Sequence, residues 1–298
     1  MPNTLAHVGG QGLAGRAILK STELPWVYLG CFIPDLPWIL QRVVLFVVPG
    51  VDPYALQAYT IVQASLLGCL LLGAAAALLS GSFWRTYAIL GGNVLLHLLL
   101  DAMQTKWGSG AHFFAPVYWK ATNWGLFWPE SIATYTLTAV GLAYVVWYWR
   151  DSVRQKPGLI RPGFPRLAGI VLLLVSYFTV PFALLQGPIQ ADAHSIRTLR
   201  ESDVRMGHPV ELDRVQYVET QEGLRLKHYG GNVLLRAENL KIKPPATVSI
   251  HGVIAGKNKV RVTGHHVHAG SLRDYPSYLG LAFIAVVWVG ALAKAYRT

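Results

Sequence analysis

The feature that most constrains this chain is the length of its apolar runs. Residues 56–79, 83–103, 167–185 and 278–295 are almost uninterrupted Leu, Val, Ile, Ala and aromatic side chains, and 131–149 makes a fifth run. Each supplies the roughly 20 residues that a helix needs to cross a hydrocarbon core. With 53% of residues hydrophobic and 14% charged, the pattern predicts a membrane α-helical bundle of five or six transmembrane helices. The opening MPNTLAHVGGQGLAGRAILK lacks a charged start followed by an apolar block and a cleavage site, so the N-terminus is expected to be retained. Cys31 and Cys69 lie inside apolar runs, where free cysteine behaves as a small hydrophobe, and no disulfide is expected.

The net charge of +11 first reports loop orientation in such a chain, and nucleic acid is not expected as a partner. Arg150, Arg154, Lys156, Arg161 and Arg166 flank or fill a short linker whose one acid is Asp151. The positive-inside rule places that linker in the cytoplasm. The expected organisation is a helical membrane domain with a candidate metal site (1–150), a basic cytoplasmic linker (151–166), a transmembrane helix (167–187), an extracytoplasmic β-rich domain (188–274) and a C-terminal transmembrane helix (275–298). Lys294 and Arg297 then end in the cytoplasm, Arg85 marks the cytoplasmic start of the 83–103 helix, and Asp101 lies near the outer surface.

The segment 24–48 is long enough to span but is interrupted by Pro34, Asp35 and Pro37 and contains Arg42. It reads either as a kinked span or as part of a broken hairpin, with 5–19 and 25–33 dipping in from the outer face and 36–48 packed alongside. Irregular backbone at membrane depth needs protein or a wet cavity around it. The hairpin is preferred because it puts His7 and Asp35 on the same side as Asp101.

From Gly207 onward the character changes to short alternating stretches: VELDRVQYV, GLRLKHY, NVLLRAENLKI, TVSIHGVIA and KVRVTGHHVHA, punctuated by Gly and Pro. Such spacing predicts a small all-β domain inserted between the last two helices, of the OB-like Greek-key barrel kind. Residues 191–205 read as a polar, partly helical connector.

His97 and Asp101 sit four residues apart near the end of an apolar helix, which puts both on one face. Imidazole with carboxylate suits zinc, with iron or manganese as alternatives, and an ionisable residue in a membrane helix is expensive enough to imply use. The bland reading is a hydrogen-bonded pair or a carboxylate at the water boundary. For His7 it is a solvated residue, and for Asp35 it is the cap of a helix with Pro37 in its first turn. The aromatic-rich loop of Trp107, Trp119, Trp124, Phe127 and Trp128, beside Lys106 and Lys120, reads as an interfacial belt, or more sharply as a headgroup lid. His266 and His268 share a strand face while His265 points away; exposed edge-strand residues are the ordinary account of them and of His251.

Taken together, Asn3, Thr4 and His7 at the start, Pro34 and Asp35 after an apolar segment, and His97, Asp101 and Gly108 on a later helix resemble the membrane-bound metal-dependent hydrolases of the YdjM type, a LexA-binding inner-membrane family. The resemblance covers roughly residues 1–150. It implies His7, Asp35, His97 and Asp101 as metal ligands, with Asp35 ligating or acting as general base, a divalent metal, zinc foremost, and a bacterial-type inner (plasma) membrane location. A distant similarity to zinc-dependent phospholipases C implies a phosphoester or lipid headgroup as substrate. The sequence departs from the pattern twice: Pro37 stands where a second acid is usual, and Gln63, Ala64 and Ser65 stand where a His-Ser is usual. His112 and Glu130 are the further ligands within reach of that reading. The expected function is therefore a membrane-embedded hydrolase. Its alternative is a non-catalytic scaffold or accessory subunit that binds a protein partner through the β domain. Transport fits less well, since no matched pair of interrupted helices signals an inverted repeat.

Overall fold

The computed structural model describes residues 3–270 and 274–295, so Arg297 lies outside the described residues. The chain is mostly helical and carries one five-stranded β unit. Four helices are long and apolar enough to cross a membrane: α6 (Phe83–Met103), α7 (Ile132–Arg154), α8 (Phe164–Leu184) with its short extension α9 (Gln186–Gln190), and α11 (Asp274–Ala295). Two bent pairs bring the number to six if each is one span. They are α2 (Leu24–Phe32) with α3 (Leu36–Val47), bent by 46°, and α4 (Pro53–Ala64) with α5 (Leu66–Ala77), bent by 61°.

The second bend corrects the expectation of one continuous helix over 56–79. Ser65 is extended (φ −64°, ψ 160°), its Oγ donates back to the Val62 carbonyl, and the same Oγ accepts from Gly68 N to start α5. A serine that satisfies both ends competes with the helix ladder, and hydropathy is blind to it. In the first pair, α2 packs against α1 (Thr4–Ile18) as the hairpin reading required, and then bends through Ile33 and Asp35 into α3. Asp35 precedes α3 but makes no capping hydrogen bond, so its side chain is free for other use.

α1 is too short to span alone and too rich in glycine and polar residues to face lipid. Asn3 caps it through Ala6 N, and Thr4, His7, Gln11, Gly12 and Gly15 are all buried. It threads the centre of the bundle between α7, α11 and α2.

Contacts sort the bundle into two ends. At one end Arg16 pairs with Asp151 at 2.6 Å, Glu23 with Arg85, Trp26 Nε1 donates to the Pro157 carbonyl, and Lys294 Nζ donates to the Val153 carbonyl. This end gathers the basic linker. At the other, Asn3 reaches Thr138, Gln104 reaches Thr134, and the β unit sits on top.

The β unit is a closed barrel of β1 (Pro209–Thr220), β2 (Gly223–His228), β3 (Val233–Glu238), β4 (Ala246–Gly256) and β5 (Lys259–Val267), in the order β1-β2-β3-β5-β4. The β3–β5 pair is parallel and the other pairs are antiparallel. Period-two alternation turns Val210, Leu212, Val215, Tyr217, Leu226, Leu235, Val248, Ile250 and Val260 inward. The register slips between Leu212 and Val215, where Arg214 has φ 51°. Such bulges re-aim side chains, and here Asp213 and Arg214 face the helical half. The connector contains α10 (Ile196–Arg200), so the helix expected in 191–205 is present.

Candidate metal centre

Three chain segments converge beneath the barrel. α6 presents His97 and Asp101 on one face, α1 brings His7 from the bundle's middle, and the α2–α3 bend delivers Asp35. The His7 and His97 rings stack in parallel, with centroids 3.8 Å apart and 4° between planes. His7 Nε2 lies 3.5 Å from Asp101 Oδ1, His97 Nε2 lies 3.7 Å from Asp101 Oδ2, and His97 Nε2 lies 3.6 Å from Asp35 Oδ1. These gaps exceed good hydrogen-bond lengths. His7 Nε2, His97 Nε2 and Asp101 Oδ1 are buried and without hydrogen-bond partners among the described residues.

Ligand atoms on one tetrahedral zinc, bound at about 2.0–2.2 Å, sit roughly 3.3–3.5 Å from each other, so the spacing fits an ion of that size. His7, His97 and Asp101 form a group that could hold a metal; Asp35 stands at its edge through His97. The outer side of the His97 ring suits that role. His97 Nδ1 donates to the Cys31 carbonyl at 2.7 Å, which leaves Nε2 as the bare nitrogen. His7 Nδ1 lies 3.4 Å from Gln11 Nε2, whose amide oxygen accepts from Cys31 Sγ at 3.1 Å. Thr4 Oγ1 donates to Asp35 Oδ2 at 3.4 Å.

Lys106 completes the cluster, with Nζ 3.4 Å from Asp101 Oδ2. Sequence reading placed it only as a flank of the aromatic loop; its distance of five residues from Asp101, just past the helix end, was the available signal. Above Asp101 and Lys106 opens a cavity of about 470 Å³ between the bundle and the barrel, walled by Trp38, His194, Glu211, Arg214 and His228. It shares Arg42, Leu45 and Gly230 with an open groove of about 870 Å³ between α3 and the barrel.

Two expected helpers are elsewhere, which corrects the wider ligand set. His112 Nδ1 donates to the Trp119 carbonyl and its ring stacks near His194, 5.7 Å between centroids. Burial drives His112 down to about 4 and His194 well below the ordinary imidazole range. Glu130 instead meets the barrel. Its carboxylate is 2.8 Å from His268 Nδ1, 3.2 Å from Arg214 Nη1 and 3.5 Å from His266 Nε2. Burial works to raise Glu130, but the His268 hydrogen bond and Arg214 hold it below the usual carboxylate range. Glu130, His266 and His268 form a second group that could hold a metal. The exposed edge-strand account fails for His268, which lies just past β5 and is 5% exposed; His265 and His266 lie on the stretch of β5 that pairs with β4 alone, His265 exposed and His266 partly so. Of the aromatic loop, Trp107 and Trp128 pack on His251 and His266, while Trp124 is exposed.

No family model, curated protein or solved structure matches this chain. The chemistry rests on the geometry.

Proposed function

We propose that this chain is a membrane-embedded metal-dependent hydrolase of the YdjM-like kind, acting on a phosphoester or lipid headgroup at the outer membrane surface. The observation that carries the reading is the convergence of His7 Nε2, His97 Nε2 and Asp101 Oδ1, buried and unpartnered among the described residues, under a cavity that Asp101 lines. Two imidazoles and a carboxylate are a borderline-soft donor set that favours zinc over calcium or magnesium. A zinc ion held there supplies a water of lowered pKa and a Lewis acid for a phosphoryl oxygen. Asp35, tethered by Thr4 and facing His97, is the carboxylate placed to hold a proton, and the Lys106 ammonium is placed to meet an anionic substrate.

A lipid substrate is supported by α3. Its exposed side carries Val43, Phe46 and Val47 while Gln41 faces inward, the make-up of a helix lying in a membrane interface. The groove beside it runs toward the cavity over Arg42. An inner-membrane orientation with the barrel outside is supported by the basic linker at the opposite end, and an OB-like barrel by the five-strand closed order with its parallel β3–β5 pair.

A second reading has its own observation: Lys106 can neutralise Asp101 without any metal, as in a non-catalytic scaffold that engages a protein partner through its barrel. One experiment separates them. The full chain, purified in mild detergent and reconstituted with zinc, should lose one equivalent of metal in the double variant His97→Ala, Asp101→Asn, and with it any release of headgroup from phospholipid micelles. If the double variant holds as much metal as wild type, the hydrolase reading falls and the scaffold stands.

A further inference from the structure

A second cluster of ligand-type side chains lies on the seam between the helical half and the barrel, and the proposed hydrolysis makes no use of it. Glu130 belongs to the loop entering α7, while His266 comes from the end of β5 and His268 lies just past it. Their ligand atoms lie within 4.8 Å of one another. Glu130 Oε2 and His266 Nε2 face each other at 3.5 Å, and both are buried atoms with no hydrogen-bond partner among the described residues. That separation again matches two ligands of one tetrahedral ion. Trp128 stacks flat on the His266 imidazole, with centroids 3.8 Å apart and 7° between planes, and fixes its direction.

Proton counting sharpens the case. Ser249 Oγ lies 2.7 Å from Asp213 Oδ1, 2.7 Å from His268 Nε2 and 3.1 Å from Arg214 N. A hydroxyl has one proton, and when Ser249 gives it to the Asp213 carboxylate, His268 Nε2 must donate to Oγ. In the neutral ring His268 Nδ1 is then a bare lone pair pointed at Glu130 Oε1 2.8 Å away. Two acceptors at that distance need a second proton on His268 or a metal cation beside them. Arg214 serves Oε1 only, leaving Oε2 and His266 Nε2 without a partner among the described residues.

The geometry points to a second divalent-metal site of the zinc class, ligated by Glu130, His266 Nε2 and His268 Nδ1, which clasps the barrel to the helical half. Ser249 and Asp213 form its outer shell: His268 Nε2–H donates to Ser249, which donates to Asp213, the relay that holds a metal-bound histidine in one tautomer. The clasp is independent of any chemistry at Asp101.

The test uses the full chain in detergent, in the His97→Ala, Asp101→Asn background so that only the second group is read. After incubation with zinc and desalting, one equivalent should remain, and zinc should raise the melting temperature. Adding His266→Ala, at a position whose side chain is 29% exposed, or the isosteric Glu130→Gln should remove both effects. Ser249→Ala should weaken zinc binding by about 10–100-fold. The proposal is overturned if that background retains no zinc, or if the retained zinc and its thermal shift are unchanged by His266→Ala and Glu130→Gln. The first of those outcomes assigns the network to a protonated His268 instead.

Discussion

At the scale of single residues, His112 shows how burial sets a charge state. It is 2% exposed, its Nδ1–H is committed to the Trp119 carbonyl, and its folded form titrates near 4. The unfolded chain takes up that proton near 6.5, so the stability from keeping the ring neutral is complete above pH 6.5. It is lost as pH falls toward 4 and is constant below that. The loss at this one site is about 3 kcal/mol. His112→Gln keeps a donor for Trp119 and removes the titration; denaturant unfolding in detergent at pH 7 and pH 4.5 should show the variant losing about 2.5 kcal/mol less than wild type. Equal losses would mean that the buried ring does not set the acid sensitivity. The same scale shows what sequence could reveal. His97 and Asp101 are one helical turn apart, so their shared face follows from spacing alone. Lys106, Glu130 and Ser249 reach their partners across loops and between domains, with no local period to announce them.

Among the elements, α1 departs most from what hydropathy detects. A span is recognised by apolar surface, yet α1 is held in the bundle by the absence of side chains. A Cβ on Gly9 would collide with the backbone of Gly141 in α7, one on Gly12 would meet the Tyr144 ring, and one on Gly280 of α11 would meet Thr4 and Leu5. Small residues let helix backbones approach where lipid gives no hydrophobic drive for association. This close approach is also what carries His7 to His97. Gly141→Val should therefore cost about 1–3 kcal/mol through overpacking and lower the zinc retained at the His7 site. Gly92, whose Cβ would meet nothing within 4 Å, is the control, and Gly92→Ala should leave the melting temperature and metal content unchanged or slightly improved. Matching behaviour of the two variants would show that the α1–α7 contact does not position His7. Five of the apolar runs and all five strands were legible from composition and alternation. The break at Ser65 was not, because a hydroxyl that caps one helix and ends another leaves the apolar average intact.

For the whole molecule, the arrangement follows from two chemically opposite ends. Arg16, Arg85, Arg166 and Lys294 make their contacts at the linker end, whereas the His–Asp cluster, the cavity and the barrel share the other. The barrel is inserted between α8 and α11, which pack on different parts of the bundle, α8 on α4 and α5 and α11 on α1, α7 and α2. The barrel's seat consists of directed contacts: Gly108 N donates to Glu211 Oε2 at 2.7 Å, Tyr54 packs edge-on against Tyr229, and Glu130 takes Arg214 and His268. Beneath this roof Asp101 is 5% exposed, and the cavity it lines continues into the open groove beside α3, the route that the proposed function gives a substrate. Sidedness is then decisive for function. Cys31 and Cys69 are free and fully buried, so cysteines introduced at exposed Lys257 in the barrel and exposed Arg161 in the linker can be read separately. With a membrane-impermeant maleimide on intact cells, Lys257→Cys should react at once and Arg161→Cys only after permeabilisation. The reverse pattern would turn the cavity to the cytoplasm and exclude an outer-surface substrate, and reaction of both from one side would exclude the spanning bundle itself.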